Sequence, residues 1–212
     1  MTSLSVFCAD IGSVAKGRFG WFGIDAARTS LSGTSIVELA HTVGAALTSG
    51  ASVALGFECP LFVPLAEAPE RLTSARPNEG NRPWSAGAGT AALATGLVEM
   101  TWILTRIRAT APDGAGAYLD WGKFQESHGE RLFLWEAFVS ARSKGADHVS
   151  DARIAVDAFL GALPDVPAAN WIHPGAVLSL VGAAMLRSGW TRDIGVLSAP
   201  AIVIAAHERL TI

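Results

Sequence analysis

Short apolar runs ending in a lone carboxylate recur along this chain, separated by stretches with helical spacing. Leu4 to Gly12 is apolar almost throughout, as a central strand covered on both faces should be. Gly12 to Gly20, with Gly12, Ser13, Lys16 and Gly17, reads as a turn, and Phe19 to Asp25 as a second strand completing a hairpin. Thr29 to Gly33 fits either a degenerate third strand or a loop. Ser35 to Thr48 carries Ile36, Leu39, Val43, Ala46 and Leu47 at helical spacing, and Ser49–Gly50 stops it. Ala51 to Glu58 is the next strand. Pro60, Pro64, Pro69, Pro77 and Pro83 then mark a long irregular stretch, a feature that is often functional inside a domain. The spacing predicts a long helix from Thr90 to Arg108, a loop from Pro112 to Gly116 and a strand from Arg131 to Phe138. Helices over Asp147 to Leu163 and Gly175 to Arg187 follow, then a short apolar segment, Ile202 to Ala206.

Strands alternating with helices after an antiparallel opening imply an α/β protein with a mixed central sheet flanked by helices. The 212 residues suit one domain, 1–212, with an irregular insertion at about 60–88 and a C-terminal extension at about 170–212. Half the residues are hydrophobic and 17% are charged, which supports a large core and excludes a disordered chain. The apolar runs fall short of the roughly 18 residues that span a bilayer, so no membrane association is expected. Met1–Thr2–Ser3 lacks the basic start of a signal peptide, and Cys8 and Cys59 read as buried free thiols; both point to the cytoplasm. A net charge of −3 argues against a general nucleic-acid coat, though not against an enzyme that grips a few phosphates. Oligomeric state is not legible.

Asp10 and Glu58 each close a buried strand, and Asp151 begins a helix. A carboxylate in such a position is costly unless a cation or proton donor meets it. On a helical wheel Ala152, Ala155, Val156, Phe159 and Leu163 form one buried stripe. His148 and Asp151 fall in its arc one turn earlier, while Asp157 lies opposite beside Arg153. Asp147 suits the helix N-cap. Converging at one sheet edge, Asp10, Glu58 and Asp151 would make an all-oxygen site for Mg2+ or Mn2+, with Asp10 as the bridge and His148 as outer ligand or proton shuttle. Glu136 alternates with Leu134 and Phe138, so it faces either the site or the far side of the sheet.

The sequence resembles a known family at these positions. His148–Val149–Ser150–Asp151–Ala152 is similar to the last catalytic motif of RuvC-type Holliday junction resolvases and related RNase H-like nucleases. Ala9–Asp10–Ile11–Gly12 followed by Gly20–Trp21 resembles the first strand and hairpin of a group of uncharacterised predicted RNase H-like nucleases. Phe57–Glu58–Cys59–Pro60–Leu61 and Leu134–Trp135–Glu136–Ala137–Phe138 resemble later segments of that group. The chain departs from it with glutamate at 58, where aspartate is usual, and alanine at 137, where proline often stands. The resemblance implies a ribonuclease H-like fold and a nuclease that hydrolyses phosphodiester bonds by a two-metal mechanism, its ions about 3.5–4 Å apart.

Arg71, Arg76 and Arg82, with Trp84, follow the Glu58 strand and are candidates for holding substrate phosphates and stacking a base; Lys16 is a further candidate. The other reading of that segment is a surface loop whose arginines pair with Glu67, Glu70 and Glu79. Two other functions compete with a nuclease. Asp10–Ile11–Gly12–Ser13 also looks like the first phosphate loop of actin-like ATP-binding proteins, which need a second domain this chain is too short to hold. A non-catalytic RNase H-like binding module would keep the hydrophobic pattern and dispense with the carboxylates.

Overall fold

In the computed structural model, which describes residues 4–79, 83–139 and 143–206, the first strand is central, as its two-sided hydrophobicity requires. Strand β1 (Leu4–Asp10) pairs antiparallel with β2 (Gly20–Ile24), which in turn pairs antiparallel with β3 (Ser30–Gly33). The ambiguous third segment is therefore a strand. On its other side β1 runs parallel to β4 (Ser52–Glu58), and β4 runs parallel to β7 (Arg131–Val139). The outer edge of β7 is shared. Its first residues pair with β6 (Gly116–Tyr118), and its last with β9 (Ile202–Ala206), both parallel.

Alternation along the strands sorts side chains to two faces. Phe7 and Ala9, with Val53, Leu55, Phe57, Leu132 and Leu134, face one way. They pack on Leu39, Val43 and Leu47 of α1 (Ile36–Thr48), Met100, Ile103 and Leu104 of α2 (Gly87–Thr110) and Val181 and Met185 of α5 (Leu180–Arg187). The other face presents Val6, Cys8, Ala54, Phe133 and Trp135. These meet Trp121 and Phe124 of α3 (Trp121–Glu126) and Ala152, Ala155, Val156 and Phe159 of α4 (His148–Ala162). Trp135 lies 4.7 Å from Phe159, ring to ring, and Gly56 makes room for it: a Cβ there would sit 2.4 Å from the Trp135 ring. Local chemistry fixes the helix starts. The Ser35 hydroxyl accepts from Glu38 N at 3.2 Å, and the Asp147 carboxylate from Ser150 N at 2.7 Å.

Three sequence expectations are corrected. Gly175 to Arg187 is not one helix: Val177–Ser179 is a strand, β8, and only Leu180–Arg187 is helical. β8 pairs antiparallel with β5 (Phe62–Pro64), and Leu61 O accepts from Leu180 N and Val181 N, so a distant strand claims the backbone before the helix begins. The Ser179 hydroxyl then caps α5 by accepting from Gly182 N. The loop expected to reach Gly116 gives way there to β6, which backbone pairing to β7 creates without a hydrophobic signature. The long helix begins at Gly87, ahead of Thr90.

The far edge of β9 is covered. Trp171 N donates to Val203 O at 2.8 Å, and Val203 N donates to Asn170 Oδ1 at 2.9 Å. Among the described residues, no helix is long and apolar enough to cross a membrane.

Candidate metal centre

β1 and β4 are in register, so Asp10 and Glu58 stand side by side at their C-terminal ends. Both have the parity of Cys8 and Gly56, which directs them to the face that α4 covers. The first turn of α4 descends onto this edge because Gly20, directly opposite Asp10 in the hairpin, has no side chain. A Cβ at position 20 would lie 2.6 Å from the His148 carbonyl carbon and 2.6 Å from Val149 N. Asp151 thereby joins the two strand ends, and one carboxylate oxygen from each of Asp10, Glu58 and Asp151 lies within 4.8 Å of the others. This buried acidic cluster has the geometry to hold a metal ion.

The surrounding groups answer this charge unevenly. His148 Nδ1 forms a short contact with Asp10 Oδ2. Lys144, in the loop before α4, places Nζ 3.3 Å from Glu58 Oε1 and 3.1 Å from Asp151 Oδ2. Gly145 N donates to Asp151 Oδ1 at 2.5 Å. Glu58 Oε2 is buried and has no hydrogen-bond partner among the described residues. Burial, reinforced by Asp10 and only partly offset by Lys144, pushes the Glu58 pKa up to about 8. Burial also raises Asp10, against the opposing pull of His148. Burial disfavours the Lys144 ammonium, but Glu58 and Asp151 outweigh it and hold its pKa above the ordinary value.

A cavity of about 450 Å³ opens over this edge; Asp10, Glu58, Lys144 and His148 line it, with Lys16 and Arg18. Lys16 thus lines the cavity, whereas Arg71 is exposed and, like Trp84, does not. Trp84 Nε1 donates to Ser74 O at 3.0 Å. Arg82 lies outside the described residues. Arg76 reaches the cavity floor, but it is buried and committed. It donates to both oxygens of Glu136, at 2.8 and 2.6 Å, and lies 3.2 Å from Glu79. Glu136 has the parity of Leu134, so it faces away from the carboxylate cluster and accepts from Leu61 N at 2.9 Å. Arg76 and Glu136 thus clamp the turn that follows Glu58.

One residue of the site and one buried carboxylate near it were not singled out in the sequence. Lys144 lies in a loop, where no periodicity marks it. Glu99 is legible in retrospect: it precedes Ile103 by four residues and Ile107 by eight, on the apolar stripe of α2. It is buried against the backbone amides of Gly12 and Val14, and burial lifts its pKa to about 7. Cys8 and Cys59 are buried free thiols, pushed up by burial.

Comparison of the chain with protein-family models, with curated proteins and with solved structures found no match.

Proposed function

We propose that this protein is a metal-dependent phosphodiester hydrolase of the RNase H-like kind, acting on nucleic acid with Mg2+ or Mn2+. The observation that carries the reading is the convergence of Asp10, Glu58 and Asp151, with a buried Glu58 oxygen that has no partner among the described residues. A carboxylate at about pKa 8 is poorly matched to its surroundings as they stand and well matched to a hard cation, which prefers oxygen ligands. The strand order, with the antiparallel pair on one side of β1 and parallel strands on the other, is consistent with the fold that the sequence motifs imply.

When bound, the cation would polarise a phosphoryl oxygen and make water a nucleophile at neutral pH. Asp10 and Glu58 would hold it, with Asp151 closing the cluster from the helix side. His148, its Nδ1 engaged by Asp10, keeps Nε2 to hold or hand on a proton. Lys16 and Arg18 on the cavity wall suit phosphates flanking the scissile bond.

The test is cleavage of end-labelled single-stranded and duplex DNA, RNA and a four-way junction, with Mn2+, by wild type and Asp10→Asn. Metal-dependent cleavage lost in the variant is expected. Failure to cut every substrate, or equal cutting by the variant, would refute the assignment.

A further inference from the structure

We infer that Lys144 is itself one of the cations of this site, so that the carboxylates take a single divalent ion where the resemblance implies two. This rests on the proposed metal-dependent reading and refines it. The oxygens of the cluster are unequally partnered. Both oxygens of Asp151 have partners: Oδ2 meets the Lys144 ammonium at 3.1 Å, and Oδ1 accepts from Gly145 N at 2.5 Å. Glu58 Oε1, at 3.3 Å, completes the lysine's seat. Glu58 Oε2 is buried and without a partner among the described residues, and Asp10 is the neighbouring carboxylate at the strand ends. Those two carboxylates are the ones left for a divalent ion.

The backbone beside the lysine is anchored. The Asp147 cap fixes the first turn of α4, and Gly145 presses on it so closely that a Cβ there would sit 2.4 Å from Ser150 Cβ. The same Asp151 carboxylate that receives the ammonium also receives the neighbouring backbone amide, which ties the lysine's loop to its partner. Charge points the same way. A bound ion would displace the Glu58 proton, and three ionised carboxylates against one ammonium then leave two negative charges, which one divalent cation neutralises. A second divalent ion in the Glu58–Asp151 seat would face the ammonium at close range in a partly desolvated pocket, where repulsion is weakly screened. With two of its three donors on Glu58 and Asp151, the ammonium supplies positive charge and one N–H to a phosphoryl oxygen but no open coordination position, so water activation would fall to the ion at Asp10 and Glu58.

The experiment counts Mn2+ bound per chain by equilibrium dialysis and titration calorimetry, for wild type, Lys144→Ala and Lys144→Gln, with melting temperatures confirming that each variant is folded. One ion in wild type and two in both variants is the expected result. Two ions in wild type would overturn the role of Lys144 while leaving the metal site standing. One ion throughout would equally overturn it, since the limit would then lie in the carboxylates. No ion in any of the three would overturn this inference and the metal-dependent reading together.

Discussion

Asp10 and Gly20 face one another across the opening hairpin, and the empty place of the glycine side chain is where the backbone of His148 sits. The acidic edge thus depends on an atom that is missing. Gly20→Ala would drive a methyl group into the first turn of α4, and overpacking of this kind costs about 1–3 kcal/mol. Urea unfolding should show that loss, and activity should fall further than stability alone explains, because Asp151 and His148 both ride on the displaced turn. A variant with wild-type stability and activity would show that α4 is not seated by this contact.

On the proposed function, Asp10→Asn should separate catalysis from folding. Burial already raises the Asp10 pKa, so the neutral amide should leave the metal-free protein as stable as wild type or more so. Hydrolysis should be lost. Mn2+ at one hundred times its Kd should stabilise wild type by about 2.7 kcal/mol and the variant far less. Equal shifts in melting temperature would remove Asp10 from the site.

Glu58 should make metal-free stability fall with rising pH. Its ordinary pKa of 4.5 becomes about 8 in the folded chain. Between those values the folded state keeps a proton that the unfolded state has lost, so raising the pH favours unfolding, by at most about 1.4 kcal/mol per pH unit. Glu99, raised to about 7, adds a similar slope over part of this window. Glu58→Gln should remove the Glu58 share, so the variant gains on wild type from about pH 5 to about pH 8 in urea unfolding without metal. Parallel profiles would contradict the assignment.

Arg76, Glu79 and Glu136 are expected to behave as a buried triad. Removing Arg76 leaves both carboxylates without their cation, at a cost of about 3–5 kcal/mol, whereas replacing all three by apolar residues of similar size should recover much of it. Chemical denaturation of Arg76→Met and of the triple variant Arg76→Met, Glu79→Leu, Glu136→Leu checks this. An Arg76→Met variant within about 1 kcal/mol of wild type would return Arg76 to the substrate-binding role first considered for it.

What the sequence made legible follows its periodicities. Asp10 and Glu58 could be placed because each ends an apolar strand, and strand parity gives both the same face. His148 and Asp151 could be placed because the helical wheel extends the stripe of Ala152, Ala155 and Phe159. The mixed sheet and its hairpin followed from element order. Lys144 was hidden because a loop has no period. Val177–Ser179 was hidden because a three-residue strand is decided by its partner, Phe62–Pro64, over a hundred residues earlier. Arg76 pairs with Glu79, one of the partners the surface-loop reading offered, but its burial was hidden for a related reason: an arginine in a proline-rich stretch looks exposed until Glu136, sixty residues on, is known to meet it.

The covered edge of β9 bears on how this chain behaves in company. A strand of five residues with free amides and carbonyls on its outer side would invite a second copy to extend the sheet. At Val203 that invitation is withdrawn, because the Asn170 side chain and the Trp171 amide occupy the groups a newcomer would use. Asn170 is therefore expected to keep this edge from pairing with a second copy. Asn170→Ala should leave metal binding intact while raising light scattering on prolonged warm incubation, and unchanged scattering would show that the edge is protected by other means.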